Sequence, residues 1–272
     1  MGREKRFGEK MKNKERKELA VCGWAAVKAL CEKNSDKVQR LYFTKERAKE
    51  LGAMCKMMAA RKKPYNMVED EAELEKLSGT PHHQGAVAMI LLPRIERLTS
   101  DVVDEWIERK EDAAILDRVG NANNLGAIVR SAAFFGIKNI VIPLDEAQTS
   151  ITTSSYRVAQ GGMERVRFFC VKSISYLLSD LKGRMVRIGT ALDATMRVDK
   201  IADIRANKGV ALILGNEENG ISDEVKKNCD ERVIIPFVDM DKGGESPVES
   251  LNVAQAASII FYEASKRGAK EK

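Results

Sequence analysis

The apolar positions in the second half of the chain fall into short runs separated by stretches with helical spacing. Each run has four to six residues, which suits a strand buried on both faces. The predicted strands are Ala113–Asp117, Asn139–Ile142, Val166–Cys170, Met185–Thr190, Val210–Leu214 and Arg232–Phe237. Strands that alternate with helices favour an α/β fold with a mostly parallel sheet covered on both faces.

The first half of the chain predicts a smaller α/β unit. Helical spacing predicts helices over Val21–Cys31 and Lys45–Ala60, the second one capped by Thr44, and then a helical turn over Glu71–Leu77. Apolar runs bounded by polar residues predict three strands, at Lys37–Phe43, Pro64–Val68 and Gly85–Leu92.

Changes of composition divide the chain into four parts. Residues 1–17 are charged, mostly basic and poor in apolar side chains, so this tail is expected to be disordered. Residues 18–93 form the small domain, residues 94–111 a charged linker with a helix at Asp101–Glu108, and residues 112–272 the large domain. The tail either pairs with phosphates through counterion release or acts only as a solubilising segment.

The overall charge fits a polyanionic partner such as nucleic acid. The formal net charge is +6 and the isoelectric point is about 9.0, which favours such a partner without requiring it. The five cysteines include no CxxC pair, so we expect reduced thiols in the cytoplasm. No apolar run reaches the ~18 residues of a membrane span, and no signal peptide opens the chain.

The two histidines of the chain, His82 and His83, are adjacent in a loop before the strand Gly85–Leu92. A metal site would need a third ligand at suitable spacing, and none is nearby, so no metal is expected. Contact with RNA is one role for this loop. Local hydrogen bonding that shapes the start of the strand is the alternative.

Ligands of such sheets bind outside the carboxyl ends of the strands, where three loops are unusual. The first loop follows Ala113–Asp117 and opens a helix that is expected to end near Gly136. In this helix Arg130 leans back over Gly126, which leaves room for the guanidinium. The arrangement is odd for a purely structural arginine, although without the other loops a surface position is the simpler interpretation.

The second loop runs from Gly215 to Gly220, directly after the strand Val210–Leu214. It has no Gly-Lys-Ser/Thr, which excludes a Walker phosphate loop, and the absence of GxGxxG after the first strand argues against an ordinary dinucleotide fold. The adjacent carboxylates Glu217 and Glu218 would repel phosphate. They suit a ligand that offers hydroxyls, amines or a positive centre.

The third loop follows the last predicted strand and leads into a C-terminal helix. Its glycines, Gly243 and Gly244, and nearby Pro247 allow the backbone to come close to a ligand. The helix begins at Ser250 or Asn252, each of which is a good N-cap.

Taken together, the three loops resemble the SpoU/TrmH branch of the SPOUT methyltransferases, which transfer a methyl group from S-adenosylmethionine to a ribose 2′-hydroxyl of tRNA or rRNA. The motifs that match, in the same order and spacing, are Asn124-x-Gly126-x-x-x-Arg130, Gly215-x-Glu217-x-x-Gly220, and Ile235-Pro236 with Ser250-Leu251-Asn252-Val253. The first domain is more loosely similar to the family's small substrate-binding domain, a fold like ribosomal protein L30e, through the stretch that begins His83-Gln84-Gly85.

The resemblance implies a C-terminal trefoil knot and a homodimer whose active site takes groups from both subunits. It also implies roles for individual residues, without a metal. The residues expected to hold S-adenosylmethionine are Thr190, Leu214, Gly215, Asn216, Gly220, Ile235 and Leu251. The catalytic group is expected to be Arg130, arranged with the ribose by Asn124, Glu217, Ser250 and Asn252.

Several alternatives stay open at this point. Arg130 acts either as a base or, as we prefer, by stabilising the developing oxyanion, because a guanidinium is not expected to lose its proton. Arg157 and Arg165 either contact phosphate or belong to a solvated face. The protein could instead be a catalytically silent RNA-binding member of the superfamily or an enzyme that methylates a base, and tRNA and rRNA fit equally well.

Overall fold

The computed structural model describes residues 17–144, 150–216, 219–238, 240, 246 and 248–266. The chain forms two compact units. The first unit combines Met1–Arg94 with Ile151–Glu164, and the second combines Ile95–Ser150 with Arg165–Lys272. The domain ranges predicted from composition followed the chain in order, whereas the first unit also takes in the later segment Ile151–Glu164.

The strands are β1 Glu18–Cys22, β2 Val38–Thr44, β3 Tyr65–Val68, β4 Ala86–Leu91, β5 Glu96–Arg97, β6 Ala113–Leu116, β7 Asn139–Pro143, β8 Arg167–Val171, β9 Val186–Thr190, β10 Met196–Arg197, β11 Val210–Leu214 and β12 Glu231–Ile234. The helices are α1 Trp24–Lys33, α2 Gly52–Ala60, α3 Glu71–Ser78, α4 Ser100–Glu108, α5 Ala122–Phe135, α6 Thr153–Ala159, α7 Ile174–Asp180, α8 Ile201–Ile204, α9 Asp223–Lys227 and α10 Val253–Ser265.

The first unit is built on a four-stranded sheet with the order β1-β4-β2-β3. Strand β4 is antiparallel to both of its neighbours, and β2 and β3 are parallel. Helix α6, from the later segment, packs against β1 and α1 and buries Tyr156 and Ala159. The core of this unit therefore draws on two separate stretches of the chain.

Two helix predictions in this unit were wrong at their starts. The predicted helix Val21–Cys31 begins only at Trp24, because residues up to Cys22 pair with β4 and Gly23 has φ 91°, which a helix does not accommodate. The predicted helix Lys45–Ala60 opens as a 3-10 turn at Lys45–Arg47, and its α-helical part starts at Gly52. The side chain of Thr44 makes no capping hydrogen bond there.

The second unit contains an eight-stranded sheet with the order β10-β12-β9-β11-β6-β7-β8-β5. Every neighbouring pair is parallel, which confirms the predicted α/β class and its parallel sheet. The edge strands β5 and β10 were not predicted, and β5 lies in the stretch expected to be a linker. Each has two residues, which is too short for a hydrophobic pattern to reveal.

Helices cover both faces of this sheet. One core cluster joins strand residues such as Ile115 and Ile213 to Trp106 of α4, Leu178 of α7 and Val225 of α9. Helices α5 and α10 pack against each other, and α10 also contacts β11. Helix α5 ends at Gly136 with φ 81°, as its sequence predicted.

The last strand of the sheet is shorter than predicted. Strand β12 ends at Ile234, whereas the sequence predicted a strand through Phe237. Because Pro236 has no N–H group to donate, the pairing stops before it, and the chain turns away from the sheet. No helix in the described part of the chain is long and apolar enough to cross a membrane. The trefoil knot stays a prediction.

Candidate functional site

A cavity of about 820 Å³ lies in the second unit at the carboxyl ends of β9, β11 and β12. Its walls include the last residues of these strands, Thr190, Leu214 and Ile234, and the start of α10 at Val253. This position is where parallel α/β sheets bind their ligands. The cavity is large enough for a ligand of nucleoside size.

The cavity brings together residues from the second and third predicted loops. The residues predicted to hold the cofactor all line it: Thr190, Leu214, Gly215, Asn216, Gly220, Ile235 and Leu251. Ser250, predicted to arrange the ribose, lines it too. Because β12 stops early, Ile235, Pro236 and Phe237 are free of the sheet and form part of the wall.

The two ends of the second loop, which lines the cavity, are hydrogen-bonded to each other. The Asn216 N–H donates to the Gly220 carbonyl at 3.1 Å, and the Gly220 N–H donates to the Asn216 carbonyl at 2.9 Å. A Cβ atom on Gly215 would lie 2.1 Å from the Gly220 carbonyl carbon and 2.3 Å from the Ile221 nitrogen. Glycine is therefore required at 215 by the approach of the backbone. Glu217 lies outside the described residues.

The first and second loops are tied together by a buried carboxylate that the sequence did not single out. Asp117 accepts hydrogen bonds from the Ser222 N–H at 2.8 Å and from Nε of Arg118 at 3.0 Å. The Asn216 side chain donates to the Arg118 carbonyl at 3.1 Å, across the same gap. The only available signal was a carboxylate placed directly after a buried strand.

Asn252 joins the third loop to the first. Its Oδ1 accepts from the Ala254 N–H at 2.9 Å, so it is the N-cap of α10, and its Nδ2 donates to Oδ1 of Asn124 at 3.1 Å. Asn124 lies in the first turn of α5, which Asn121 caps. Two of the predicted catalytic residues therefore meet beside the cavity. The predicted loop glycines, Gly243 and Gly244, lie outside the described residues, as does Pro247.

Arg130 is not brought into the cavity of its own chain. Its side chain is exposed on α5, whereas Gly126 on the same helix is buried. The guanidinium makes no hydrogen bond or ion pair with any described residue.

Charged groups at the cavity add features that the sequence did not reveal. Asp193, Lys226 and Glu249 contribute to the walls. The Arg232 guanidinium donates to Asp193 at 3.0 Å and holds the pKa of that carboxyl below its usual range. The cavity therefore has charged side chains of both signs among largely apolar walls.

The wall strands β9 and β12 are anchored by the ion pair of Arg187 with Asp230. Arg187 is buried, donates through Nε to Asp230 at 2.9 Å, and also donates to the Leu178 carbonyl at 2.8 Å. Hydrogen bonding to Arg187 lowers the pKa of Asp230.

The histidine loop of the first unit has a structural role at one of its two positions. His83 is buried, and its Nδ1 accepts a hydrogen bond from the Gly85 N–H at 3.2 Å, which supports local shaping of the strand start. His82 is exposed. Among the residues that the structure describes, no group of three or more His, Cys, Asp or Glu side chains could hold a metal ion.

Comparison with known proteins places this geometry in a family. The model of the SpoU rRNA methylase family matches residues 113–262, more than half of the chain. The chain belongs to the SpoU rRNA methylase family. A second model, RNA 2′-O ribose methyltransferase substrate binding, matches residues 20–95. The family predicted from the three loops is thereby confirmed, together with its class of enzyme, an S-adenosylmethionine-dependent RNA 2′-O-methyltransferase.

Relatives in this family include two proteins named 23S rRNA (guanosine-2′-O-)-methyltransferase RlmB. The one from Acinetobacter baylyi is 33% identical over 198 residues, which are 71% of this chain and 75% of that protein. The one from Coxiella burnetii is 32% identical over 245 residues, 89% of this chain and 88% of that protein.

Solved methyltransferase structures share the fold. The AdoMet-bound rRNA methyltransferase from Sinorhizobium meliloti aligns with a TM-score of 0.71 at 20% identity, over 96% of this chain and 92% of its own. The SpoU methyltransferase AviRb from Streptomyces viridochromogenes aligns with a TM-score of 0.68 at 21% identity, over 94% and 91%.

Proposed function

We propose that the cavity binds S-adenosylmethionine and that the protein methylates the ribose 2′-hydroxyl of a guanosine in ribosomal RNA. The observation that carries the proposal is the meeting of the predicted cofactor residues around one cavity at the carboxyl ends of β9, β11 and β12. The named function of the RlmB relatives favours rRNA over tRNA. RNA binding is assigned to domain 18–93 and methyl transfer to domain 112–272.

The residues of the cavity fit this cofactor. Gly215, Ile235 and Leu251 line the cavity, and their main-chain groups are proposed to hydrogen-bond the adenosine. Apolar side chains such as Leu214 and Phe237 suit its flat ring. The bound sulfonium supplies an electrophilic methyl group, so the main task of the protein is to orient the 2′-oxygen.

We assign to Arg130 the stabilisation of the developing 2′-oxyanion. A guanidinium stays protonated in proteins, and a fixed donor aimed at a growing negative charge lowers the barrier. Asn124 and Asn252, linked at 3.1 Å, are proposed to position the ribose together with Glu217 and Ser250. An Arg130→Lys variant keeps the charge and loses the forked geometry, so near-normal activity would contradict this role.

The position of Arg130 also supports a homodimer. Helices α5 and α10 expose a set of aromatic rings next to one another, with Phe134 82% and Tyr262 50% exposed. The Phe135 ring bridges them, 5.1 Å from Phe134 and 6.0 Å from Tyr262. We propose that a second copy of the chain covers this surface through a two-fold contact and brings its own Arg130 to the cavity.

Mixing two inactive variants tests the composite site. Arg130→Ala removes the arginine and Gly215→Ala distorts the loop that lines the cavity, so each homodimer should be almost inactive. In an equal mixture that has exchanged subunits, half of the dimers are mixed and each has one intact site, so activity should return to about a quarter of wild type. No recovery, with exchange verified by mass, would place the arginine in the subunit whose cavity it serves.

Two further properties belong to the proposal. The trefoil knot that the family implies would thread the C-terminal helix that follows Ser250 through an earlier loop. The five cysteines, all free, fit work in the reducing cytoplasm.

The central test is methyl transfer from radiolabelled S-adenosylmethionine to ribosomal RNA transcripts. We expect incorporation at one nucleotide and an adjacent linkage that resists alkali, because a methylated 2′-oxygen cannot attack the phosphate. An alkali-sensitive product would indicate base methylation instead. If calorimetry detects no binding of S-adenosylmethionine, the proposal is refuted.

A further inference from the structure

A cluster of flat and cationic side chains surrounds Gly23 in the first unit. The Arg47 guanidinium lies over the ring of Trp24, 4.5 Å from its centroid. Gln84 fixes both residues, since its Oε1 accepts from the Trp24 N–H at 2.8 Å and its carbonyl accepts from Nε of Arg47 at 3.2 Å. Trp24 and Arg47 are only partly buried.

The later segment of the chain adds a second arginine to this cluster. A Cβ atom on Gly23 would lie 3.6 Å from Cγ of Arg157, so the stem of Arg157 crosses the glycine. Burial raises the pKa of neighbouring Cys22 to about 11, and the charge of Arg157 opposes that rise. The side chain of Arg157 makes no hydrogen bond or ion pair with any described residue, so its guanidinium is available to an anion.

Packing alone accounts poorly for this arrangement. Arg47 has an acidic neighbour in Glu50, at 3.4 Å, but both side chains are partly exposed and the pair is screened. Arg157 has no described acidic partner. Two guanidinium groups and an indole held around a glycine match the way proteins bind single-stranded RNA, with bases stacked on flat side chains and phosphates paired with arginine.

We infer that Trp24, Arg47 and Arg157 form a binding site for an unpaired nucleotide of the substrate RNA. A base stacks on the Arg47–Trp24 pair and Arg157 binds an adjacent phosphate. The inference rests on the proposed function, since it assumes an RNA substrate. It assigns a nucleic-acid contact to the segment Ile151–Glu164, which lies outside the stretch matched by the substrate-binding family model.

The test measures binding of the full-length protein to a fluorescein-labelled single-stranded oligoribonucleotide, and to the corresponding duplex, over a series of salt concentrations. Arg157→Ala should weaken single-strand binding and reduce the slope of log K against log salt by about 0.7. Trp24→Ala should weaken it by roughly 5- to 150-fold, the usual effect of losing a stacking platform. Arg47→Lys keeps the charge, so it should weaken binding while leaving the salt slope unchanged.

Lys33→Ala is the matched control, because it removes one exposed positive charge from the far end of α1, about 13 Å from Trp24 by helical rise. Melting curves and S-adenosylmethionine calorimetry are run on every variant. Loss of RNA affinity with unchanged cofactor binding supports the site. If Arg157→Ala and Arg47→Lys bind the single strand like Lys33→Ala, or if duplex binding falls equally, the inference is wrong. A wild-type protein that binds cofactor but no RNA would instead refute the proposed function.

Discussion

Replacing Gly215 by alanine should disable the cavity through a single methyl group. The new Cβ would lie 2.1 Å from the Gly220 carbonyl carbon, so the backbone must move by about 1.3 Å to reach an ordinary contact of 3.4 Å. The paired hydrogen bonds between Asn216 and Gly220 resist that movement. Overpacking of this kind costs about 1–3 kcal/mol, and a displacement of about 1 Å in a site can slow the reaction about 100-fold.

Differential scanning fluorimetry, cofactor calorimetry and methyl transfer measure the three consequences. We expect the melting temperature to fall by roughly 2–12 °C, and cofactor binding to weaken about tenfold or more. Gly220→Ala separates backbone strain from collision. Its φ is 62°, but no atom of a described residue lies within 4 Å of the added Cβ, so the substitution should cost only the strain, about 1 kcal/mol. Gly52→Ala has open space and an ordinary φ, and should be neutral. A Gly215→Ala protein that melts and binds cofactor like wild type would refute the argument from backbone approach.

Three other outcomes are expected. Asn252→Ala should lower the stability of the protein by about 1 kcal/mol through the lost cap and reduce methyl transfer through the lost contact with Asn124. Asn252→Asp should keep the cap and lose only the contact. If both variants transfer methyl groups as fast as wild type, Asn252 has no positioning role. Asp230 has a lowered pKa beside Arg187. Its ion pair therefore stabilises the fold fully above the ordinary Asp pKa of about 3.9, and this stabilisation is lost as the pH falls through the lower pKa of the folded state. The melting temperature of Asp230→Asn should be lower than that of wild type at pH 7 and approach it in acid. Burial raises the pKa of Glu164, so ionisation of this carboxyl destabilises the fold as the pH rises through the raised value. Glu164→Gln should therefore melt at a higher temperature than wild type at neutral pH and at the same temperature near pH 4. A variant that melts below wild type at neutral pH would contradict this.

The sequence was a good guide wherever local pattern determines structure. The run Val210–Leu214 is β11 with the predicted bounds, because a fully buried parallel strand needs continuous apolar residues. Gly136 ends α5 because only glycine accepts its left-handed φ without cost. The cavity residues could be predicted because family motifs fix the order of the loops along the chain.

Features that depend on distant partners could not be read from local pattern. The stretch Leu19–Cys22 is apolar enough for a helix and becomes a strand only because β4, more than sixty residues later, pairs with it. The role of Asp117 depends on the Ser222 N–H, which is 105 positions away. The exposure of Arg130 could not be predicted from spacing either, because it depends on which face of α5 meets α10.

The division of the first unit between two stretches of chain has a consequence for biosynthesis. Helix α6 supplies buried Tyr156 and Ala159 to a core that otherwise consists of the first 94 residues. During translation that core therefore stays incomplete until residue 164 has left the ribosome, by which time β6 and β7 have already emerged. The first unit therefore cannot complete its core from its first 94 residues alone, and chains truncated after residue 95 and after residue 165 should differ sharply in protease resistance.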